Sequence, residues 1–243
     1  MDPNAKVSLV TGSGRRIGRA LALALGDAGC RVAVHYNQSE QDANETASLI
    51  KAMGSEAITF KADLEDPTQV EDLATQVRDQ LGPIEIIINN ASVFDKLGLE
   101  EISAQELDRH FAINVIAPFL LAKSMNEQLT NSSLGKIINL NDWRKARPTR
   151  LAYGVTKSAL TGLTRTLALS LAPNIQVNEI ALGAILPPSD IPVDRPRDKI
   201  AINLGPADRM GSLNEVASTM MLLIQNDFIT GETINVDGGR HIN

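Results

Sequence analysis

Seven short runs of β-branched and apolar residues recur along the chain, and amphipathic stretches of helical length separate them. The runs are "KVSLV", "RVAVHY", "AITFK", "IEIIIN", "KIINL", "IQVNEIA" and "TINV". Strands that alternate with helices form βαβ units and a parallel sheet. The nearly continuous apolar character of "IEIIIN" is typical of a central strand that helices cover on both sides. The pattern therefore predicts an α/β protein with a doubly wound parallel sheet of about seven strands and helices on both faces.

A glycine-rich turn follows the first strand and opens the first helix, in the segment "TGSGRRIGRALALALGDAG". Glycines such as Gly12 let the backbone turn tightly and approach a pyrophosphate, while the helix N-terminus supplies N–H groups and positive potential. A turn with a purely structural purpose is the alternative. The place of the turn, after a strand and before a helix, favours a dinucleotide site. We therefore predict a single-domain Rossmann fold over residues 1–243.

The end of the second strand, "VAVHYNQSE", bears on which dinucleotide is bound. An NAD-selective site usually places an acidic residue there, which accepts hydrogen bonds from the ribose 2'-hydroxyl. No acidic residue ends this strand. His35, Asn37 and Ser39 are able to donate to a 2'-phosphate instead, and Arg15 adds positive charge. The segment predicts NADP(H) rather than NAD(H), with a polar loop in which Ser39 caps the next helix as the alternative.

Tyr153 and Lys157 are four residues apart and share one face of a predicted helix, and Asp142 lies a short loop upstream. A free tyrosine has a pKa of about 10 and needs a neighbouring positive charge to become a useful acid near neutrality. Lys157 is able to supply that charge. An ordinary amphipathic helix is the alternative for the pair, and capping of the following loop is the alternative for Asp142. Beside a cofactor site, we interpret the three residues as proton-transfer machinery with Tyr153 as the proton donor.

The charge balance of the chain excludes several classes of partner. The formal net charge is −6 and the pI is near 5.1, whereas nucleic acids and acidic membrane surfaces favour basic proteins. No apolar run is long enough to span a bilayer, and the start "MDPNAK" lacks a signal-peptide core. Cys30 is the single cysteine, which fits a reducing compartment. We expect a cytoplasmic protein with a small-molecule substrate, no nucleic-acid or membrane partner and no metal site.

Five segments, in order, resemble the short-chain dehydrogenase/reductase family over nearly the whole chain. They are "TGSGRRIG", "ADL" at 62–64, "NNAS" at 89–92, "YGVTK" at 153–157 and "NEIALG" at 178–183. The resemblance implies that Asn114 completes a catalytic tetrad with Asp142, Tyr153 and Lys157. With the motifs above, it predicts a cofactor site formed by Gly12, Arg15, Arg16, Ile17, His35, Tyr36, Asn37, Ser39, Asp63, Leu64, Asn90, Ala91, Ser92, Tyr153, Lys157, Gly183 and Ile185.

Several departures from the common family pattern resemble the pteridine reductases and the bacterial dihydromonapterin reductases. The chain has Arg16 where glycine is usual, Ser92 after "NNA", Asp142 in the serine position, "HY" at the end of the second strand and a "DGGR" tail. Asp142 also lies two residues closer to Tyr153 than the family pattern has. We place this deletion in the loop around 148–151, where it would be able to move Asp142 relative to the phenol.

The resemblance implies a planar, nitrogen-rich substrate. A carboxylate at Asp142 accepts hydrogen bonds from ring N–H and amino groups, Phe94 is able to stack on a flat ring, and Arg16 can reach a ring carbonyl or nitrogen. A core position for Phe94 is the alternative. The predicted substrate-binding residues are Arg16, Ser92, Phe94, Asp142 and Tyr153, under a proline-rich covering loop at about 184–212.

We therefore expect an NADPH-dependent enzyme that reduces a dihydropterin to a tetrahydropterin. A carbonyl reductase of the same family, such as a 3-oxoacyl-carrier-protein reductase, is one alternative, and a catalytically silent NADP(H)-binding regulator is another. Surplus apolar positions in "FAINVIAPFLLAKSMNEQL" and "SALTGLTRTLALSLA" predict subunit contacts and a homotetramer, unless both helices merely cover the sheet. The basic run from Arg144 to Arg147 is interpreted as a solvated loop or a subunit contact.

Overall fold

A computed structural model describes residues 1–129, 134–187 and 204–242 of the chain. Its centre is one sheet of seven strands, all parallel, in the order β3-β2-β1-β4-β5-β6-β7. The strands are β1 Val7–Val10, β2 Arg31–Tyr36, β3 Ala57–Lys61, β4 Ile86–Asn89, β5 Gly135–Asp142, β6 Ile175–Leu182 and β7 Thr233–Val236. The predicted fold class is confirmed, and each predicted strand lies where the apolar runs placed it.

Helices cover both faces of the sheet. They are α1 Arg16–Asp27, α2 Glu40–Ala52, α3 Pro67–Leu81, α4 Ala104–Phe111, α5 Ala117–Gln128, α6 Leu151–Ser170 and α7 Leu213–Gln225. The apolar faces of α1, α2 and α7 pack with one side of the sheet in one buried cluster. Those of α3, α5 and α6 pack with the other side in a second cluster. All four residues of β4 are buried, because both layers cover the centre of the sheet.

The strand order reverses between β1 and β4, which lie side by side at the middle of the sheet. From β1 the chain crosses to β2 and β3 on one side, and from β4 it crosses to β5, β6 and β7 on the other. Open α/β sheets bind ligands at the carboxyl ends of the strands at this point. The loops after β1, β4 and β5 therefore frame the site.

A π-helical segment, Ala112–Ile116, joins α4 to α5. Single π-helical turns are rare in proteins overall, but those that occur often lie at functional sites. Here the segment buries the side chain of Asn114. The predicted substrate-covering loop, at about 184–212, belongs only in part to the described residues, since 188–203 lie outside them.

Candidate active site

The glycine-rich turn between β1 and α1 is held by the side chain of His35. Nδ1 of His35 accepts a hydrogen bond from the Gly12 N–H at 3.0 Å, and Nε2 lies 3.1 Å from the Ala62 carbonyl oxygen. The first contact requires an unprotonated Nδ1, so Nε2 carries the proton that Ala62 accepts. Burial lowers the pKa of His35 from 6.5 to about 4. The neutral ring therefore locks the turn, in which Gly12 has φ +62°.

Two further contacts fix the turn from the β4 side. The Asn90 amide nitrogen Nδ2 donates to the carbonyl oxygens of Thr11 and Gly12 at 2.9 and 3.1 Å. Thr11 Oγ1 accepts from the backbone N–H groups of Asn90 and Ala91. A Cβ at Gly18 would lie 2.3 Å from the Gly12 carbonyl oxygen, so only glycine lets α1 pack this closely against the turn.

The N-terminus of α1 is suited to bind a phosphate group. Its N-cap residue, Arg15, makes no side-chain capping hydrogen bond, and the first turn contains no acidic residue. Neither the N-cap side chain nor an acidic side chain of the first turn thus matches the N–H groups and the positive end of the helix dipole. Arg16 adopts φ +56°, a conformation that favours glycine, and its Nη2 donates to the Pro187 carbonyl oxygen at 2.6 Å. Arg16 therefore links the glycine-rich turn to the start of the segment that is predicted to cover the substrate.

The polar residues after β2 occupy different environments. Asn37 is exposed and Ser39 is half-buried at the N-cap of α2, where its hydroxyl makes no capping hydrogen bond. Neither description conflicts with the prediction that these two side chains contact a 2'-phosphate, which stays a prediction. His35 is only 2% exposed and has both ring nitrogens engaged. The expectation that His35 donates to the phosphate is thus wrong, because the ring turns inward to the glycine turn.

Most other predicted cofactor residues lie at the carboxyl edge of the sheet. Asp63 follows β3, and its carboxylate accepts from the Glu65 N–H at 3.0 Å, while Leu64 is buried in the core. Gly183 follows β6, and a Cβ there would lie 2.5 Å from the Asp237 Cα. The remaining predicted positions are Ile17 and Tyr36, both partly buried, exposed Ser92 and buried Ile185.

Asp142 and Tyr153 meet across the shortened loop. Asp142 is the last residue of β5 and Tyr153 lies in the first turn of α6. The Tyr153 hydroxyl donates to Asp142 Oδ2 at 3.1 Å. The two-residue deletion therefore has not separated the carboxylate from the phenol.

The pKa of Tyr153 is raised well above 10, first because the phenol is buried and second because the Asp142 carboxylate lies beside it. The charges that oppose this rise belong to Arg147 and Arg150. Lys157 Nζ lies 5.7 Å from the centroid of the Tyr153 ring and donates to the Leu140 carbonyl oxygen at 2.7 Å. Burial lowers the pKa of Lys157 from 10.5 to about 8. The charges that act against the raised pKa of the phenol thus come from Arg147 and Arg150 and not, as the sequence led us to expect, from Lys157.

The loop from Trp143 to Arg150 is anchored by its basic residues. Arg147 Nη2 lies 2.9 and 2.8 Å from the two carboxylate oxygens of Asp142. Lys145 Nζ reaches Glu179 Oε1 at 3.3 Å, and Glu179 is completely buried. Arg240 stacks on the ring of Trp143, with 4.6 Å from its Cζ to the ring centroid. The interpretation of the basic run as a solvated loop is therefore wrong for Lys145 and Arg147.

Glu179 is the centre of a buried polar network behind the site. Its carboxylate accepts hydrogen bonds from Asn141 Nδ2 at 2.7 Å, from Thr161 Oγ1 at 2.9 Å and from Thr233 Oγ1 at 3.0 Å. Asn141 Nδ2 also donates to the Lys157 carbonyl oxygen at 2.9 Å. Sequence reasoning missed this network, although a glutamate inside the buried strand "IQVNEIA" was a signal, since buried charges are paired.

Phe94 packs directly against the phenol. Its ring lies edge-on to Tyr153, with 4.6 Å between centroids and an interplanar angle of 76°. The guanidinium of Arg150 covers the Phe94 ring at 3.7 Å from the centroid and donates to the Phe94 carbonyl oxygen. The ring therefore lies beside the Tyr153 phenol, and its contact with a substrate stays a prediction.

Asn114 connects the loop after β4 to α6. Its Oδ1 accepts from the Val93 N–H at 3.0 Å, and its Nδ2 donates to Thr156 Oγ1 at 3.0 Å. Thr156 lies between Tyr153 and Lys157 in the chain. The side chain thus holds these elements together, and its part in a proton relay stays a prediction.

One group of acidic and histidine side chains among the described residues is close enough to hold a metal ion: Asp95, Glu106 and His110. Arg109 Nη1 already lies 2.7 Å from Asp95 Oδ2 and 3.6 Å from Glu106 Oε2. The expected absence of a metal stays a prediction. Within residues 1–129, 134–187 and 204–242, no helix combines the length and apolar character needed to cross a membrane.

The chain is similar to known reductases in both sequence and structure. The profile of a family described as enoyl-(acyl carrier protein) reductase matches residues 12–241. The crystal structure of FolM alternative dihydrofolate reductase 1 from Brucella suis in complex with NADP is 37% identical, with a TM-score of 0.87, and the match covers 98% of this chain and 96% of that one. The same protein from Brucella canis, complexed with NADP, is 36% identical with a TM-score of 0.92, covering 100% and 96%. The 3-oxoacyl-[acyl-carrier-protein] reductase FabG of Staphylococcus epidermidis is 33% identical over 245 residues, covering 98% of this chain and 99% of the relative.

Proposed function

Because the chain belongs to the short-chain dehydrogenase/reductase family, we propose that it is an NADPH-dependent reductase that converts a dihydropterin to a tetrahydropterin. The observation that carries the substrate class is the contact between Asp142 and the Tyr153 phenol, with the Phe94 ring packed on that phenol. A carboxylate and a flat aromatic ring at one position suit a planar ring that carries N–H and amino groups. The similarity to two alternative dihydrofolate reductases supports it, because dihydrofolate contains a dihydropterin ring.

NADP(H) is the cofactor, and the local geometry fits it. The α1 N-terminus without a side-chain cap and the glycine turn fit the pyrophosphate. Asn37, Ser39 and Arg15 would contact the 2'-phosphate, in the absence of an acidic residue at the end of β2. The other residues that would hold the cofactor are Arg16, Asp63, Leu64, Asn90, Ala91, Ser92, Gly183 and Ile185.

The reduction needs a hydride, which NADPH supplies when bound, and a proton, which Tyr153 supplies. The raised pKa of Tyr153 keeps the phenol protonated at neutral pH. Its hydroxyl is oriented by Asp142, so its proton is held at a defined position. Lys157, whose Nζ lies 5.7 Å from the centroid of the Tyr153 ring, is proposed to return a proton to the phenol. Asn114, which donates to Thr156 Oγ1, is proposed to hold α6 in place for this step.

A second candidate function is reduction of a carbonyl compound, such as a 3-oxoacyl thioester. One observation favours it: both Asp142 oxygens already accept hydrogen bonds, from Tyr153, from the Arg144 N–H and from Arg147. A pterin would have to replace one of these donors. A silent regulator is the third candidate, and the intact Tyr153 and Lys157 pair counts against it.

The function is tested by following NADPH oxidation with a panel of dihydropterins, dihydrofolate, quinones and acetoacetyl esters. Turnover of a dihydropterin with kcat/KM at least about tenfold above that of every carbonyl substrate supports the proposal. A preference for the acetoacetyl ester would make the carbonyl reductase the leading function. Cofactor binding without turnover of any compound would favour the regulator.

We also propose a homotetramer. Exposed apolar side chains lie on the predicted helices: Ile116 and Phe119 on the π-helical segment and α5, and Val155 and Leu169 on α6. Subunit contacts would remove this apolar surface from water. Light scattering at micromolar concentration that gives the mass of one chain would contradict this assembly.

A further inference from the structure

Arg147 holds the Asp142 carboxylate that accepts the hydrogen bond of the phenol. Its Nη2 bridges both carboxylate oxygens at 2.9 and 2.8 Å, and its Nε donates to the Arg144 carbonyl oxygen at 3.0 Å. The guanidinium is thus fixed at two points. The two side chains are only 24% and 13% exposed, so solvent and salt screen this ion pair less than an ordinary surface pair.

Asp142 Oδ2 belongs to two contacts at once. It accepts one hydrogen bond from the Tyr153 hydroxyl at 3.1 Å and another from Arg147 at 2.8 Å. The phenol, carboxylate and guanidinium therefore form one hydrogen-bonded row. Any change in the charge or position of the carboxylate acts directly on the phenol.

The guanidinium in this row acts against an electrostatic repulsion that arises because residue 142 is an aspartate. When Tyr153 donates its proton, negative charge develops on the phenol oxygen, next to a carboxylate. In the common pattern of the family a neutral serine occupies that position, and no such repulsion arises. The positive charge of Arg147 makes the pair with Asp142 neutral overall and so opposes the repulsion.

We propose that Arg147 is a positioning residue of the reductase site, which neutralises and orients Asp142 so that the Tyr153 phenol can release its proton to the substrate. The inference rests on the proposed function only in taking Tyr153 as the proton donor, whichever substrate accepts the proton. It has a specific consequence: Arg147 is needed while residue 142 is a carboxylate, and is dispensable when that residue is neutral.

A double-mutant cycle on the full-length protein tests the proposal. The variants are Arg147→Met, Asp142→Ser and the double variant, with kcat and the KM for NADPH measured on the best substrate of the panel. We expect Arg147→Met to lower kcat at least about tenfold in the native background, and to change it by less than about twofold in the Asp142→Ser background. The KM for NADPH should stay within about twofold in all three.

Two sets of control variants distinguish the loss of the Arg147 charge from a general loss of folding. Arg165→Met removes an arginine whose side chain is exposed on α6; kcat should stay within about twofold of the native value. If Arg147→Met does not fold, Arg147→Lys and Arg147→Gln replace it. Lysine, which keeps the charge, should retain more kcat than glutamine, which keeps only a donor.

Equal losses of kcat in the two Asp142 backgrounds would overturn the proposal, because Arg147 would then act on the substrate or on the loop as a whole. Equal activities of the lysine and glutamine variants would overturn it as well. If dihydropterins are not turned over, the cycle is run on the carbonyl substrate, so that the pterin proposal fails while this one is still tested. Absence of turnover on every substrate would overturn both.

Discussion

The hydroxyl of Tyr153 donates a hydrogen bond to Oδ2 of Asp142 at 3.1 Å. The contact joins the first turn of α6 to the last residue of β5. It places the proposed proton donor at the carboxyl edge of the sheet, beside the loops that would hold the cofactor.

Tyr153→Phe should abolish most of the turnover and leave cofactor binding intact. The change removes the hydroxyl but keeps the ring that packs against Phe94. We expect kcat to fall by about a hundredfold or more, with the Kd for NADPH, measured by fluorescence titration, unchanged within about twofold. Near-native turnover would remove Tyr153 from the mechanism.

Asp142→Ser should separate the two candidate substrates. Pterin turnover should fall by about tenfold or more, because a hydroxyl cannot accept two hydrogen bonds from an amino–imino ring edge as a carboxylate does. Reduction of an acetoacetyl ester should survive or rise, because serine can still donate to a carbonyl oxygen. A parallel loss of kcat/KM on both substrates would mean that Asp142 only shapes the site.

Asn37→Asp should weaken the binding of NADPH more than the binding of NADH. Asn37 is exposed at the end of β2, where a new negative charge would repel a 2'-phosphate. We expect the KM for NADPH to rise by about tenfold, while the KM for NADH changes little. Asn37→Ala is the control, since it removes the amide without adding charge. Tighter binding of NADH than of NADPH by the native protein would show that the end of β2 had been misinterpreted.

His35→Gln should remove part of the acid sensitivity of the fold. The pKa of His35 is lowered from 6.5 to about 4, so between these values the unfolded chain binds the proton more readily than the folded one. The free energy of unfolding contributed by His35 is therefore complete above pH 6.5 and decreases as the pH falls toward 4, by roughly 3 kcal/mol. Glutamine can still accept from Gly12 and donate to Ala62 without titrating.

Urea unfolding at several pH values measures this effect as the difference between the native protein and His35→Gln, so that titrating carboxylates shared by both cancel. The difference should change sharply between pH 6.5 and 4. A constant difference across that window would mean that His35 does not titrate with folding.

Gly154→Ala should disturb the loop that carries Arg147. A Cβ at position 154 would lie 2.1 Å from the Lys145 carbonyl oxygen, so the loop backbone would have to move. We expect a loss of about 1 to 3 kcal/mol in the free energy of unfolding and a lower kcat. Gly162→Ala, in the same helix and with no atom within 4 Å of the added Cβ, should instead stabilise the protein by about 0.5 to 1 kcal/mol. Equal behaviour of the two variants would contradict the close contact.

The fold and the residues that meet at the sheet edge followed from local patterns in the sequence. Alternating strand and helix periods specify a parallel sheet, and the ends of parallel strands lie at one edge. This brings Asp142, at the end of β5, within reach of α6 regardless of the loop between them. The confirmed fold class and the Asp142–Tyr153 contact have this origin.

The roles of Arg147 and Glu179 could not be predicted in the same way. A run of like charges gives no indication of which side chains turn inward, because that depends on a partner distant in the chain, as Glu179 is for Lys145. His35 shows the same limit, since a polar residue near a strand end can face a ligand or support a turn. In each case, a contact with a residue distant in the sequence determines the direction in which the side chain points.

Trp143 is the single tryptophan of the chain, and it directly follows Asp142 while Arg240 stacks on its ring. All of the indole fluorescence of the protein therefore comes from the loop that carries Arg147. NADPH absorbs light at the wavelengths at which indole emits, so a bound nicotinamide would quench this emission by energy transfer. The protein thus contains its own optical reporter at the site, and loop movement and ligand binding can be followed without a label.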